Sequence, residues 1–219
     1  MYPNAYNGIK KIYTAEILSL IAAIIGFIAA IAALAGVISI DAGKETDGAI
    51  AALLGGGAII LISGILVIIA FIIQIIGISN ASKDEPLFKK AMTWLIIGLV
   101  ASIVISFLPE DSMETLDMVA DLVKGIADIF VIMYVIDGVI SLAKKIGKAS
   151  IAAKGAKIKN MIIVVYAIGL ILTVIDGFMT ENDTTVVISG VLGIIALIVM
   201  IAAYLMYLKL LSRAKRMLG

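Results

Sequence analysis

The stretch G-I-A-D-I-F-V-I-M-Y-V-I-D-G-V-I-S-L-A-K-K, Gly125–Lys145, is an apolar run that carries two carboxylates, Asp128 and Asp137, and closes on two lysines. A membrane-crossing helix needs about 20 predominantly apolar residues, and this run has that length. It shows no alternation of polar and apolar residues, so it does not read as a strand of a membrane barrel. An open strand could not satisfy its backbone in lipid, which leaves the helix.

Working outward, five more runs have the same character. With the central one they are Ile12–Ile40, Ala49–Ser79, Leu87–Leu108, Gly125–Ala143, Ile158–Phe178 and Thr185–Leu208. The expected fold class is therefore all-α: a polytopic membrane protein with six transmembrane helices. Composition agrees. Of the 219 residues 63% are hydrophobic, and mean hydropathy is +1.19. Soluble domains are about 45–50% apolar, so this surplus needs a bilayer as its solvent. The first run is too long for the apolar core of a cleavable signal peptide, and it reads as a retained span.

The polar breaks alternate in sign. Asp41–Gly48, Pro109–Asp121 and Met179–Thr184 are acidic; the N-terminus, Asn80–Lys90, Lys144–Lys159 and Lys209–Gly219 are basic. Of the 17 Lys and Arg, all but Lys44 and Lys124 lie in the basic set. Basic short loops stay on the cytoplasmic side. The expected location is the inner cell membrane, multi-pass, with both termini cytoplasmic.

The helix ends also repeat, and repeats bear on the fold as a whole. Ser79–Lys83, Ser141–Lys145 and Ser212–Arg216 each read S-x-A-[SK]-[KR]. The odd-numbered helices begin after Lys10-Lys11, Lys89-Lys90 and Lys157/Lys159. The chain thus reads as three tandem pseudo-repeated hairpins, approximately 1–83, 84–148 and 149–219, within a single transmembrane domain, 1–219. At 1.5 Å per residue the first two runs reach about 43–47 Å, longer than ~30 Å of hydrocarbon. Gly55-Gly56-Gly57 marks either a weak point in the second helix or a site of close packing. Pro109–Lys124, with Asp117, Asp121 and Lys124 on one face, reads as a short interfacial helix.

Small residues mark where membrane helices touch. Stripes run through Ser19, Ala23 and Gly26 on the first helix, Gly56, Ser63, Ala70 and Gly77 on the second, Gly98 and Ser102 on the third, and Ser189 and Gly193 on the sixth. The polar groups on these seams are the candidate site. With the fourth helix at 125–143, Asp137 lies about 4–5 Å from its centre; started at Met118, the same helix has Asp128 near its middle. Asp at a helix centre costs roughly 2.5–3.5 kcal/mol, so a deep carboxylate faces protein or water. Asp128 has Lys124 one turn back, and an ion pair accounts for it. Asp137 has no cation within one turn. Tyr134, Asp137 and Ser141 share a face, and Gln74 and Glu16 are the expected companions from other helices. Such a group either holds an interhelical hydrogen bond or binds a polar solute, a proton or a cation.

The chain has no Cys and no His, which removes thiol chemistry, disulfides and His-ligated metal or haem. No phosphate-binding glycine motif and no acidic metal cluster is present, so no enzyme, metal or cofactor is expected. A net charge of +1 gives no pull toward nucleic acid. Six helices in about 200 residues are similar to the substrate-binding subunits of energy-coupling vitamin importers. The Gly/Ile-rich hairpins resemble a group of bacterial acid-resistance membrane proteins. Neither resemblance carries a motif, so no residue role follows from them. Two functions are expected: a small transporter, channel or substrate-binding subunit with a polar pocket around Asp137, or a structural or accessory protein that packs on partner helices or on copies of itself.

Overall fold

The computed structural model describes residues 2–41, 47–106, 113–178 and 183–219. These form six α-helices and, among the described residues, no strand: α1 (Pro3–Asp41), α2 (Asp47–Ala81), α3 (Leu87–Ser106), α4 (Met113–Lys145), α5 (Ala149–Phe178) and α6 (Asp183–Leu218). The all-helical class is as expected. Among the described residues four stretches are long and apolar enough to cross a membrane: Pro3–Val37, Leu54–Ala81, Leu87–Val104 and Leu122–Lys145. Residues 42–46, 109–112 and 179–182 of the acidic breaks lie outside the described residues, as do the surroundings of Ser189 and Gly193.

Several helices begin well before their apolar runs. α1 starts at Pro3 rather than Ile12, α4 at Met113 rather than Gly125, and α5 at Ala149 rather than Ile158. Hydropathy ends where the solvent changes, but helical hydrogen bonding does not. Lys and Ala are good helix formers and carry the helix outward. The segment expected as a separate interfacial helix is instead the first turns of α4, from Met113 onward.

The chain divides into two compact units: Lys10–Gly77, and Met1–Ile9 with Ile78–Gly219. In the first, α1 and α2 run antiparallel. Ser63 Oγ donates to the Ala22 carbonyl at 2.7 Å, and Gln74 pairs with Glu16. Gly56 is the close-packing point: a Cβ there would sit 2.8 Å from the Ala29 carbonyl oxygen and 2.9 Å from Ala33 N. The helix runs unbroken through Gly55–Gly57, and of the three only Gly56 makes such a contact; a Cβ on Gly55 or Gly57 would meet nothing within 4 Å.

In the larger unit, α3 packs on α4, α4 on α5 and α5 on α6. Contacts advance along one helix as they retreat along the next. Trp94 stacks on Phe130 with centroids 4.2 Å apart, Gly98 faces Ala127 and Phe88 faces Gly138. Gly155 likewise faces Ile140, and Gly169 faces Met200. The core sits at the basic ends of these helices. Ile9, Ile78, Phe88, Val135, Ile136, Val139, Leu142, Ile162, Tyr207, Leu210 and Leu211 are fully buried there. Farther along, Ile97, Val100, Val104, Ile168, Ile171 and Ile198 are exposed. Each S-x-A-[SK]-[KR] end shows the same burial: Ala81, Ala143 and Ala214 are all 0% exposed, while Lys83, Lys145 and Arg216 are exposed.

Candidate functional site

The polar groups expected to gather around Asp137 are distributed among separate partners. Glu16 and Gln74 meet each other: Gln74 Nε2 donates to Glu16 Oε1 at 3.1 Å, and Glu16 is buried at 7% exposure. Both belong to the α1–α2 unit. Asp137, Tyr134 and Ser141 belong to the larger one.

Asp137 is paired with Lys159 of α5, whose Nζ lies 2.8 Å from Oδ1 and 2.7 Å from Oδ2. Their side chains are 26% and 24% exposed. Both carboxylate oxygens are thus engaged by one ammonium in charge-assisted hydrogen bonds. Reading helical neighbours alone misses Lys159, because it is 22 positions away. A signal was nevertheless present. In a helical hairpin, residues about equally far from the turn lie side by side, and the turn at Gly147 leaves Asp137 and Lys159 10 and 12 residues out on either side.

Tyr134 stacks along α4 on Phe130, with centroids 6.2 Å apart, and Lys90 Nζ sits 5.6 Å above its ring. Trp94, Phe130, Tyr134 and Lys90 form one ladder between α3 and α4. Ser141 turns the same way and donates to Glu85 Oε2 at 2.7 Å. Asp137 is three positions from Tyr134 and four from Ser141. It is therefore rotated about 40–60° from each around the helix, which is enough to aim it at α5 instead.

Glu85 is the acid that hydropathy did not single out. It lies in the α2–α3 connection and is 4% exposed. It accepts from Ser141, from Lys145 Nζ at 2.8 Å and from the Leu87 amide at 3.4 Å. Burial pushes its carboxyl up, but these hydrogen bonds and the Lys145 charge outweigh that and hold it below its ordinary value. Its neighbour Asp84 accepts from Asn4 Nδ2 at 3.0 Å and from the Ala5 amide at 2.8 Å. Desolvation raises Asp84 too, yet the Asn4 and Ala5 bonds leave it lowered. α1 has Pro3 at its start and no acid in its first turn, so Asp84 supplies the acceptor its free amides need. The clue to Glu85 was its place just before Pro86, at the start of α3, facing the Lys end of α4.

Asp128 is exposed, and among the described residues it forms no ion pair with Lys124. The two are not in contact, although the Lys124 charge one turn away still acts on the Asp128 carboxylate.

Comparison with family models, with curated proteins and with solved structures finds no match for this chain.

Proposed function

We propose that this chain is an integral inner-membrane protein that crosses the bilayer six times, with both termini cytoplasmic, in three tandem hairpins. Its role is structural or accessory, and it assembles by packing against partner helices or further copies. One observation carries the reading: the deep polar groups are consumed in pairs between helices, Glu16 with Gln74 and Asp137 with Lys159. Seam glycines are filled by neighbours in the same way. A Cβ on Gly138 would lie 2.5 Å from Phe88, and one on Gly155 would lie 2.7 Å from Ile140. The matched burial at the three S-x-A ends supports the hairpin repeat. The exposed Ile and Val side chains supply the surface that lipid or partner helices cover.

A second reading has its own support. The Asp137–Lys159 pair is about a quarter exposed on each side, as a gate for a proton, cation or polar solute must be. Intramembrane ionisable residues mark such pathways. The substitution Asp137→Asn separates the two. In the packing role, Asn leaves Lys159 without its counter-charge and costs roughly 1–3 kcal/mol of stability. Asp137→Asn with Lys159→Met then recovers most of it. In the gating role, Asp137→Asn also stops flux that the unsubstituted chain shows in proteoliposomes, and the Lys159→Met change that recovers stability does not recover flux. Flux by the unsubstituted chain that the stable double variant lacks would overturn the accessory role.

A further inference from the structure

At the basic end of the larger unit an open cavity of about 390 Å³ is lined by Lys148, Ile151, Arg213, Arg216 and Met217. Three of the five side chains are cationic. No acidic side chain lies nearby in sequence: residues 138–175 and 184–219 contain no Asp or Glu. Among the described residues no ion pair engages Lys148, Arg213 or Arg216. Three cations on one cavity repel one another, so the site favours an anion.

The backbone points the same way. Gly147 has φ 72°, and it ends α4 in a tight turn. The Gly147 amide bonds the Lys144 carbonyl at 3.1 Å, and the Lys148 amide bonds the Ala143 carbonyl at 2.8 Å. This is the Schellman arrangement, and it fixes Lys148 directly before α5. The Lys148 carbonyl then accepts from the Ile151 and Ala152 amides, making Lys148 the cap residue of α5. Lysine is a poor choice there, since its side chain cannot accept a hydrogen bond and its charge opposes the positive end of the helix dipole. A bound anion offsets the charge penalty. On α6, Arg213 and Arg216 are three apart and share a face. Arg presents a planar fork that matches phosphate oxygens.

We propose that this cavity binds a phosphoryl group, with the guanidinium groups of Arg213 and Arg216 and the Lys148 ammonium as its donors. Ile151 and Met217 offer apolar contact to whatever carries the phosphate. The source of the ligand rests on the membrane reading above. The apolar run of α5 starts at Ile158, and Lys148 lies 10 residues before it, about 15 Å along the helix. A headgroup layer is only some 5–8 Å deep. On α6 the apolar run ends at Leu208, and Arg213 follows five residues later, about 8 Å along the helix. The cavity therefore reaches from headgroup depth to the aqueous phase, and the ligand is a phosphate ester whose source, soluble or lipid headgroup, the test separates.

The test uses the full chain in phosphatidylcholine nanodiscs, titrated with pyrophosphate and followed by calorimetry. Saturable binding is expected. Arg213→Gln with Arg216→Gln weakens it about tenfold or more. Lys154→Gln with Lys157→Gln removes the same charge from exposed positions outside the cavity and changes it by no more than about twofold. Equal weakening by the two double variants overturns the site in favour of diffuse attraction. No saturable binding of pyrophosphate, and none of phosphatidylglycerol by native mass spectrometry, overturns it also. Arginine-dependent retention of phosphatidylglycerol without a pyrophosphate response supports the phosphoryl site and assigns it to a lipid headgroup; the pyrophosphate response without lipid retention supports it with a soluble ligand. Failure of the membrane reading shows separately, as a chain that does not enter the nanodisc.

Discussion

Glu85 is buried and accepts three hydrogen bonds in the α2–α3 connection, with Asp84 capping α1 beside it. Both carboxyls titrate below their ordinary values of 4.5 and 3.8 in the fold. A lowered folded pKa means that the charged form stabilises the native state. That contribution is complete above the ordinary value and is lost as pH falls through the lowered one. Melting temperature should therefore drop on acidification below about pH 4.5. Glu85→Gln should cost about 1–3 kcal/mol at pH 7, because Lys145 and Ser141 lose a charged acceptor. It should also flatten the acid limb of the stability curve, measured by thermal unfolding in detergent across pH. An acid limb as steep as that of the unsubstituted chain would remove Glu85 from the account.

Between elements, contact is made where one residue is small and its neighbour fills the gap. Gly138 accepts the fully buried Phe88 ring. Gly138→Ala adds a Cβ with nowhere to go and should destabilise by about 1–3 kcal/mol; Phe88→Leu in the same chain should recover part of that. Gly64 is the control. Its added Cβ meets nothing within 4 Å, so Gly64→Ala should be neutral or stabilise by roughly 0.5–1 kcal/mol. Six helices were legible as long apolar runs, since length and hydropathy alone define a span. Helix starts were not, because Pro3, Met113 and Ala149 precede the point where the chain turns apolar. The site was legible as a set of residue types only. Asp137, Glu16 and Gln74 stood out as polar groups at apolar depth, but Lys159 is supplied by the next helix. Side-chain direction, a matter of tens of degrees, assigned Tyr134 and Ser141 to α3 and its approach.

For the molecule as a whole, topology is open to a clean measurement because the chain has no cysteine. One introduced thiol is then the sole target for a membrane-impermeant maleimide on intact cells. Ser112→Cys, in an acidic connection, should label; Ser150→Cys, between the lysines of the α4–α5 region, should label only after permeabilisation. The reverse pattern would invert the orientation proposed above.

The cap that Asp84 places on α1 also bears on how the chain is made. Asn4 and Asp84 are 80 positions apart. At a synthesis rate of about 5–20 residues per second, the first turn of α1 exists for roughly 4–16 s before its acceptor has been synthesised. During that interval the opening helix has a loose start. It is fastened only once the nascent chain has passed the end of α2 and the next helix is about to follow.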